Sequence, residues 1–287
     1  MIPILFGLLA GFSFAVSMVL SQKGLHVYPT PWGVWITLLI NALFLWACYL
    51  LLHPAAPIFI HGNIAFVVIG AFVPGLTRML AFRGMRNVGS SVTTTVLNST
   101  PMFSATLAII ILGERPGLLV LSGIGLIVGG LMMLSWRGEE RTWSRVELLY
   151  PLLAAFLFGV KDVVARWGMA TTGYPILAAA ITATTATPEV FLIIRTIQRE
   201  KFSLPPPKIS LWFVISGLFS GASFLFMFLA LHMEQVVIVS PTFNTSSVFV
   251  LFLAPLFVRK IEPITAHKVA GVLVVIAGVF LISIGRS

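Results

Sequence analysis

The chain has 287 residues, of which 58% are hydrophobic and 9% charged, and its formal net charge is +9. A water-facing surface needs roughly 25% charged residues, so this composition excludes a soluble globular domain. The positive excess then belongs to loops that fix orientation and meet anionic lipid, and nucleic acid drops out as a partner.

A helix needs about 20 apolar residues to cross a bilayer. Ten such spans are predicted, at 2–21, 32–52, 63–83, 91–112, 117–136, 148–169, 175–196, 211–231, 236–258 and 265–285. The expected fold class is therefore an all-α integral membrane protein. Span 1 lacks a basic n-region and an Ala-x-Ala site, so it reads as a retained span and not as a signal. Its Gly7-x-x-x-Gly11, like Gly125-x-x-x-Gly129 in span 5 and Gly217-x-x-x-Gly221 in span 8, predicts close helix packing within a monomer or in a homodimer. Cys48 in span 2 is alone, which leaves no disulfide and no thiolate cluster for a metal.

Span 3 carries Pro74-Gly75 and Arg78, the latter ~8 Å in from its basic end at 1.5 Å per residue. Span 4 opens on a polar run in which Ser91, Thr94, Thr95 and Asn98 share a helical face. Span 6 holds Lys161 and Asp162. Asp162 precedes Arg166 by four residues and is expected to pair with it. Lys161 lies deepest of the intramembrane charges and has no acid on its own helical face. There it loses its proton, finds an acid from another span, or meets an anionic substrate group. Span 7 has Glu189 beside Pro188, ~9 Å from its basic end, a depth that matches Arg78 and predicts a buried or gating ion pair, against the plainer reading that Arg78 snorkels to the interface with Arg83. Span 8 carries Phe219, Phe224, Phe226 and Phe228, facing either lipid or a pocket. Span 9 repeats the polar face with Ser240, Asn244 and Ser247, beside Pro241. Two such stripes predict a shared polar cavity, against the plainer reading of hydroxyls bonded to their own backbone or to a neighbouring helix. Substrate binding is thus assigned to Lys161, Arg78, Thr94, Asn98, Asn244 and Ser247, and coupling or gating to Asp162 and Glu189.

Residues 80–133 and 228–281 repeat one another at an offset of 148, with Thr94/Thr242, Ser99/Ser247, Glu114/Glu262, Gly123/Gly271 and Gly130/Gly278 in register. A weaker match at offset 144 joins Ala10/Ala154, Phe14/Phe158 and Gly24/Gly168. The halves are 1–137 and 146–287. Five spans per half is odd, so the second half must enter the membrane inverted. Of the 18 Lys and Arg, thirteen fall in the connections after spans 1, 3, 5, 7 and 9 and three in the other connections and termini. The positive-inside rule puts those five connections in the cytoplasm and both termini outside. No Walker lysine loop, His-Glu-x-x-His or Gly-x-Ser-x-Gly is present, so neither an enzyme nor a cofactor is expected.

Ser99-Thr100-Pro101-Met102-Phe103, Leu112-Gly113-Glu114-Arg115 and Gly123 to Gly130, echoed by Leu253-Ala254-Pro255-Leu256, Glu262 and Gly271 to Gly278, resemble the drug/metabolite transporter superfamily in its ten-span EamA-type branch. Gln22-Lys23-Gly24-Leu25 is similar to the end of that family's first span. The resemblance implies two inverted five-helix halves around a cavity lined by spans 1, 3, 4, 6, 8 and 9. It further implies alternating access, and export or exchange of small-molecule substrates such as amino acids, in the cell's inner (plasma) membrane. The alternatives are an anionic-metabolite exchanger using Arg78 and Lys161, and a lipid translocator or non-transporting scaffold. Two features depart from the family. Its members are drawn with cytoplasmic termini, and the acid that four-span multidrug relatives carry on span 1 is replaced by Ala15, or Gly159 in the repeat.

Overall fold

The computed structural model describes residues 2–28, 30–53, 58, 62–88, 90–135, 145–199, 201–257 and 266–285. The first half contains α1 (Ile2–Val27), α2 (Pro31–Leu52), α3 (Asn63–Val88), α4 (Ser90–Leu97), α5 (Thr100–Leu112) and α6 (Leu118–Ser135). The second contains α7 (Leu149–Thr172), α8 (Pro175–Leu192), α9 (Pro207–Met233), α10 (Val236–Asn244), α11 (Ser246–Phe257) and α12 (Ala266–Gly285). Among the described residues nine helical stretches are long and apolar enough to cross a membrane, counting α4 with α5 and α10 with α11 as one each. A tenth, Leu118–Leu134, is shorter and equally apolar. The chain is a multi-pass membrane protein.

The helix ends follow local chemistry. Pro31, Pro175 and Pro207 open α2, α8 and α9 at positions where a missing N–H costs nothing. Gly113 and Gly173 close α5 and α7 with φ of 69° and 67°, a conformation that glycine adopts without strain.

Packing follows the repeat. Exchanging the halves converts α1 against α9 into α7 against α3, α2 against α9 into α8 against α3, and α5 against α7 into α11 against α1; every one of these pairs is in contact. The equivalent helices α6 and α12 pack directly on one another. A Cβ on Gly123 would lie 2.8 Å from Gly278 O, and one on Gly130 would lie 2.7 Å from Gly271 O. The reciprocal distances, from Gly278 to Gly123 O and from Gly271 to Gly130 O, are 2.7 and 2.9 Å. Low numbers on α6 meet high numbers on α12, so these two equivalent helices run antiparallel with their backbones in contact.

The other small-residue motifs divide. Gly11 packs against Phe243 O and Gly217 against Ile40, as expected of close-packed helices, but Gly125 and Gly129 face open space. The seam of α6 uses Gly123 and Gly130 instead, because they lie on its buried side. Of the span 8 phenylalanines, Phe219, Phe224 and Phe226 are half-buried. Phe228 is buried against Phe66 and Phe224, while Phe226 stacks on Phe6. Amphipathic aromatics collect at both helix ends, as the membrane interface favours. Trp32 and Trp35 sit with Phe191 and Phe202 at one end, and Trp46, Tyr49, His53 and Tyr174 at the other.

Candidate functional site

Spans 4 and 9 are each broken. The breaks fall at Asn98-Ser99 and at Thr245, within a residue or two of the same repeat position. Pro101 has no N–H for Leu97 O, and Thr100 Oγ1 donates to that carbonyl instead at 2.7 Å. Ser99 Oγ donates to Val96 O at 2.6 Å and Thr245 Oγ1 to Thr242 O at 2.7 Å. Hydroxyls thus satisfy carbonyls that hydrocarbon would leave bare. Across the two breaks, Ser247 Oγ donates to Asn98 Oδ1 at 3.2 Å while Asn98 Nδ2 donates to Leu131 O at 3.0 Å.

The polar stripes therefore separate into two roles. Asn98, Ser247 and Ser240 bridge helices, whereas Asn244 Nδ2 turns back to Ser240 O at 2.8 Å on its own helix. Thr94 and Thr95 are half-buried on α4. The side chains of Ser91 and Arg78 lie outside the described residues.

The intramembrane charges converge on α7. Asp162 is 2% exposed. Its Oδ2 accepts Ser240 Oγ at 2.7 Å from α10 and Ser104 Oγ at 2.9 Å from α5, and the two hydroxyls are 3.0 Å apart. Lys161 Nζ stands 3.0 Å from Oδ1, with 22% of its side chain exposed. Two expectations are corrected here. Asp162 does not pair with Arg166, and the acid that Lys161 meets is its own sequence neighbour. Adjacent helical positions diverge by about 100°, but the lysine stem is long enough to swing its ammonium round to the buried carboxylate. The ammonium also lies 5.9 Å from the Phe243 ring and 6.0 Å from Phe158, at the outer range of a cation–π contact. The result is an ion pair with a sealed acid end and a reachable basic end, framed by aromatic rings.

Arg166 is used elsewhere. Its Nη1 donates to Leu231 O at 2.5 Å and His232 O at 2.8 Å, at the C-terminal end of α9, where a cation complements the helix dipole. Just beyond, Glu114 accepts the N–H groups of Val236 and Val237 at 2.9 and 3.1 Å, capping α10 from the other half of the chain. The Glu114/Glu262 coincidence was visible in the repeat, but its partners are 122 and 123 residues away and no local pattern reveals them. Glu262 lies outside the described residues. Glu189 Oε2 accepts Gly75 N–H at 2.9 Å, beside the break that Pro74 makes in the α3 ladder. Past Glu189, α8 ends in a π-turn over Ile193–Ile197. Of the coupling pair, then, Glu189 is seen gripping the α3 backbone. Ser104 was missed altogether, because a lone serine in an apolar half-helix carries no signal of its own.

The model of the EamA-like transporter family matches residues 1–136 and again 145–284. A search of curated proteins finds no match. A solved crystal structure superposes with a TM-score of 0.79 over 98% of this chain and 96% of that one. The two sequences are 15% identical, which speaks for the fold alone.

Proposed function

The chain belongs to the EamA-like transporter family, and from that membership we propose a secondary carrier that exports or exchanges small carboxylate-bearing metabolites, amino acids first among them, by alternating access. One observation carries the reading. Beside the two broken helices stands a lysine paired with a buried carboxylate, its side chain 22% exposed and two aromatic rings close to its ammonium. A substrate carboxylate would take the Lys161 ammonium. Phe158 and Phe243 would hold an apolar side chain, and Asn98 and Ser247 would hold polar groups. The carrier would be no enzyme and would need no cofactor. It would sit in the inner (plasma) membrane as a monomer or homodimer, its two halves inverted and rocking against each other.

An exchanger of more strongly anionic metabolites shares Lys161 and needs Arg78 as a second cation. A lipid translocator is less well supported. A lateral groove between α5 and α7 is lined by Leu107, Ile111, Val160, Val163, Val164 and Trp167, none of them basic, so it offers nothing to a lipid headgroup.

A thermal-unfolding screen of the purified chain against amino acids, nucleosides, sugars and phosphates decides among these. A ligand at a hundred times its Kd stabilises by about 2.7 kcal/mol. Amino acids are expected to respond, with the shift lost in Lys161→Gln when each protein is read against its own unliganded melting curve, which falls in the variant because the buried Asp162 carboxylate loses its counter-charge. Response to phosphates alone would replace the amino-acid reading with the exchanger. No response from any class, together with no flux in vesicles, would end the carrier reading.

A further inference from the structure

α10 begins without a cap of its own. Its N-cap residue, Gln235, makes no side-chain bond to the first turn, although the leading amides of a helix need acceptors. The cap comes from the other half of the chain. Glu114 follows Gly113, whose φ of 69° turns the backbone out of α5. Its two carboxylate oxygens take separate N–H groups, Val236 at 2.9 Å and Val237 at 3.1 Å. Glu114 is buried, which shields these bonds from water, and its charge suits the positive end of the helix dipole. On the far side of the same turn, Arg166 of α7 holds the carbonyls of Leu231 and His232. The α9–α10 turn is thus fixed from both halves of the chain.

The opposite end of α10 belongs to the candidate site. The helix has nine residues, about 13 Å at 1.5 Å per residue. Within that length Ser240 Oγ reaches Asp162 Oδ2 at 2.7 Å and Ser104 Oγ at 3.0 Å, and the Phe243 ring lies 5.9 Å from the Lys161 ammonium. Among the described residues α5 packs on α10, whereas the exchanged pair, α11 and α4, scarcely meets. The packing that Glu114 seals therefore has an open counterpart. Given the reading of the chain as an alternating-access carrier, we propose that Glu114 is a latch. Bound to α10, it holds the halves together at the end where the α9–α10 turn lies, and it lets go when the site opens there. Release is reversible because the same opening admits water to the freed amides and carboxylate.

The test needs no substrate. In a Cys48→Ser background, Ala108→Cys puts a thiol on α5 at a fully buried position, one turn from Ser104 on the face that meets α10. Ala178→Cys puts one at a fully buried position near the start of α8, which packs on α2 and α3. A membrane-impermeant maleimide is applied to intact cells and, separately, to inverted vesicles, so that the side of the α9–α10 turn is reached whichever way the chain is inserted. The reaction at Ala108→Cys should be slow with Glu114 in place and rise by about 5- to 30-fold with Glu114→Ala. Glu114→Gln, which keeps one good acceptor, should fall between the two, and it serves should Glu114→Ala not fold. Ala178→Cys should stay unreactive throughout. A rate at Ala108→Cys that neither variant changes would overturn the latch. So would a parallel rise at Ala178→Cys, since the cap would then only hold the fold together. Amino-acid binding is read in a separate measurement. A latch that releases in a chain answering no amino acid removes the cargo reading alone, and an amino-acid response with Ala108→Cys unmoved removes the latch alone.

Discussion

Lys161 and Asp162 are adjacent in sequence yet finish in different surroundings, one ammonium 22% exposed by side chain and one carboxylate enclosed by two serines. Both were legible in the sequence, because a charge inside an apolar span is expensive enough to demand a reason. Their partners were not, since a serine in a span is cheap and common and its role depends on what the fold sets against it. Ser104 and Ser240 should now be separable by experiment. Hydrogen bonds between membrane helices average about 0.6 kcal/mol and reach about 1.7 kcal/mol, so Ser104→Ala and Ser240→Ala should each destabilise within that range. The double variant should cost less than the sum, because both hydroxyls serve one oxygen and each other. Unfolding in mixed detergent measures this; strict additivity would mean that the three groups do not act as one network.

At the scale of helices, the positions of the spans followed from apolar length alone, and the antiparallel seam is foreshadowed by the coincidence of Gly123 with Gly271 and Gly130 with Gly278. Which glycines pack within the protomer is a question of helical face, which the spacing motif alone does not give. Gly125 and Gly129 have the small-x-x-x-small pattern but nothing within 4 Å. Substituting either with Ala should be neutral or raise stability by up to about 1 kcal/mol, since Gly weakens a helix interior. Gly123→Ala must push its Cβ into Ile282 Cγ1 at 2.7 Å and Gly278 O at 2.8 Å, an overpacking that costs about 1–3 kcal/mol. Equal effects at 123 and 125 would show that α6 does not use this face. The α9–α10 turn is gripped by Arg166 on the last carbonyls and Glu114 on the first amides. Removing the latter with Glu114→Ala should cost about 1–2 kcal/mol, as for a lost helix cap, and Glu114→Gln, which keeps one good acceptor, should cost less. The reverse order would mean that the charge, and not the cap, is what α10 needs.

For the whole molecule the exchange symmetry is broken, and the break has a direction. α5 packs on α10 and α7 on α9, whereas among the described residues the equivalent pairs, α11 with α4 and α1 with α3, scarcely meet. The closed pairs, with Glu114 and Arg166, gather at the end of the bundle where α1 begins. Toward the other end, Phe14 touches the Phe243 ring at 5.5 Å, and Met18 one turn further on is 53% exposed. A repeated sequence encodes both arrangements alike, which is why the two-half plan could be read from residues while the state it rests in could not. The carrier reading requires that exposure at Met18 be to water entering from the connection between α1 and α2, and not to lipid. In a Cys48→Ser background, Met18→Cys should then react with a membrane-impermeant maleimide from that side only. Since thirteen of 18 Lys and Arg lie on the connections of that side, the reaction should occur in inverted vesicles and not in intact cells. Labelling in intact cells alone would leave the opening in place and reverse the orientation drawn from the charges. Labelling from neither side would put Met18 in hydrocarbon and remove the open chamber, and with it the asymmetry as a step in transport.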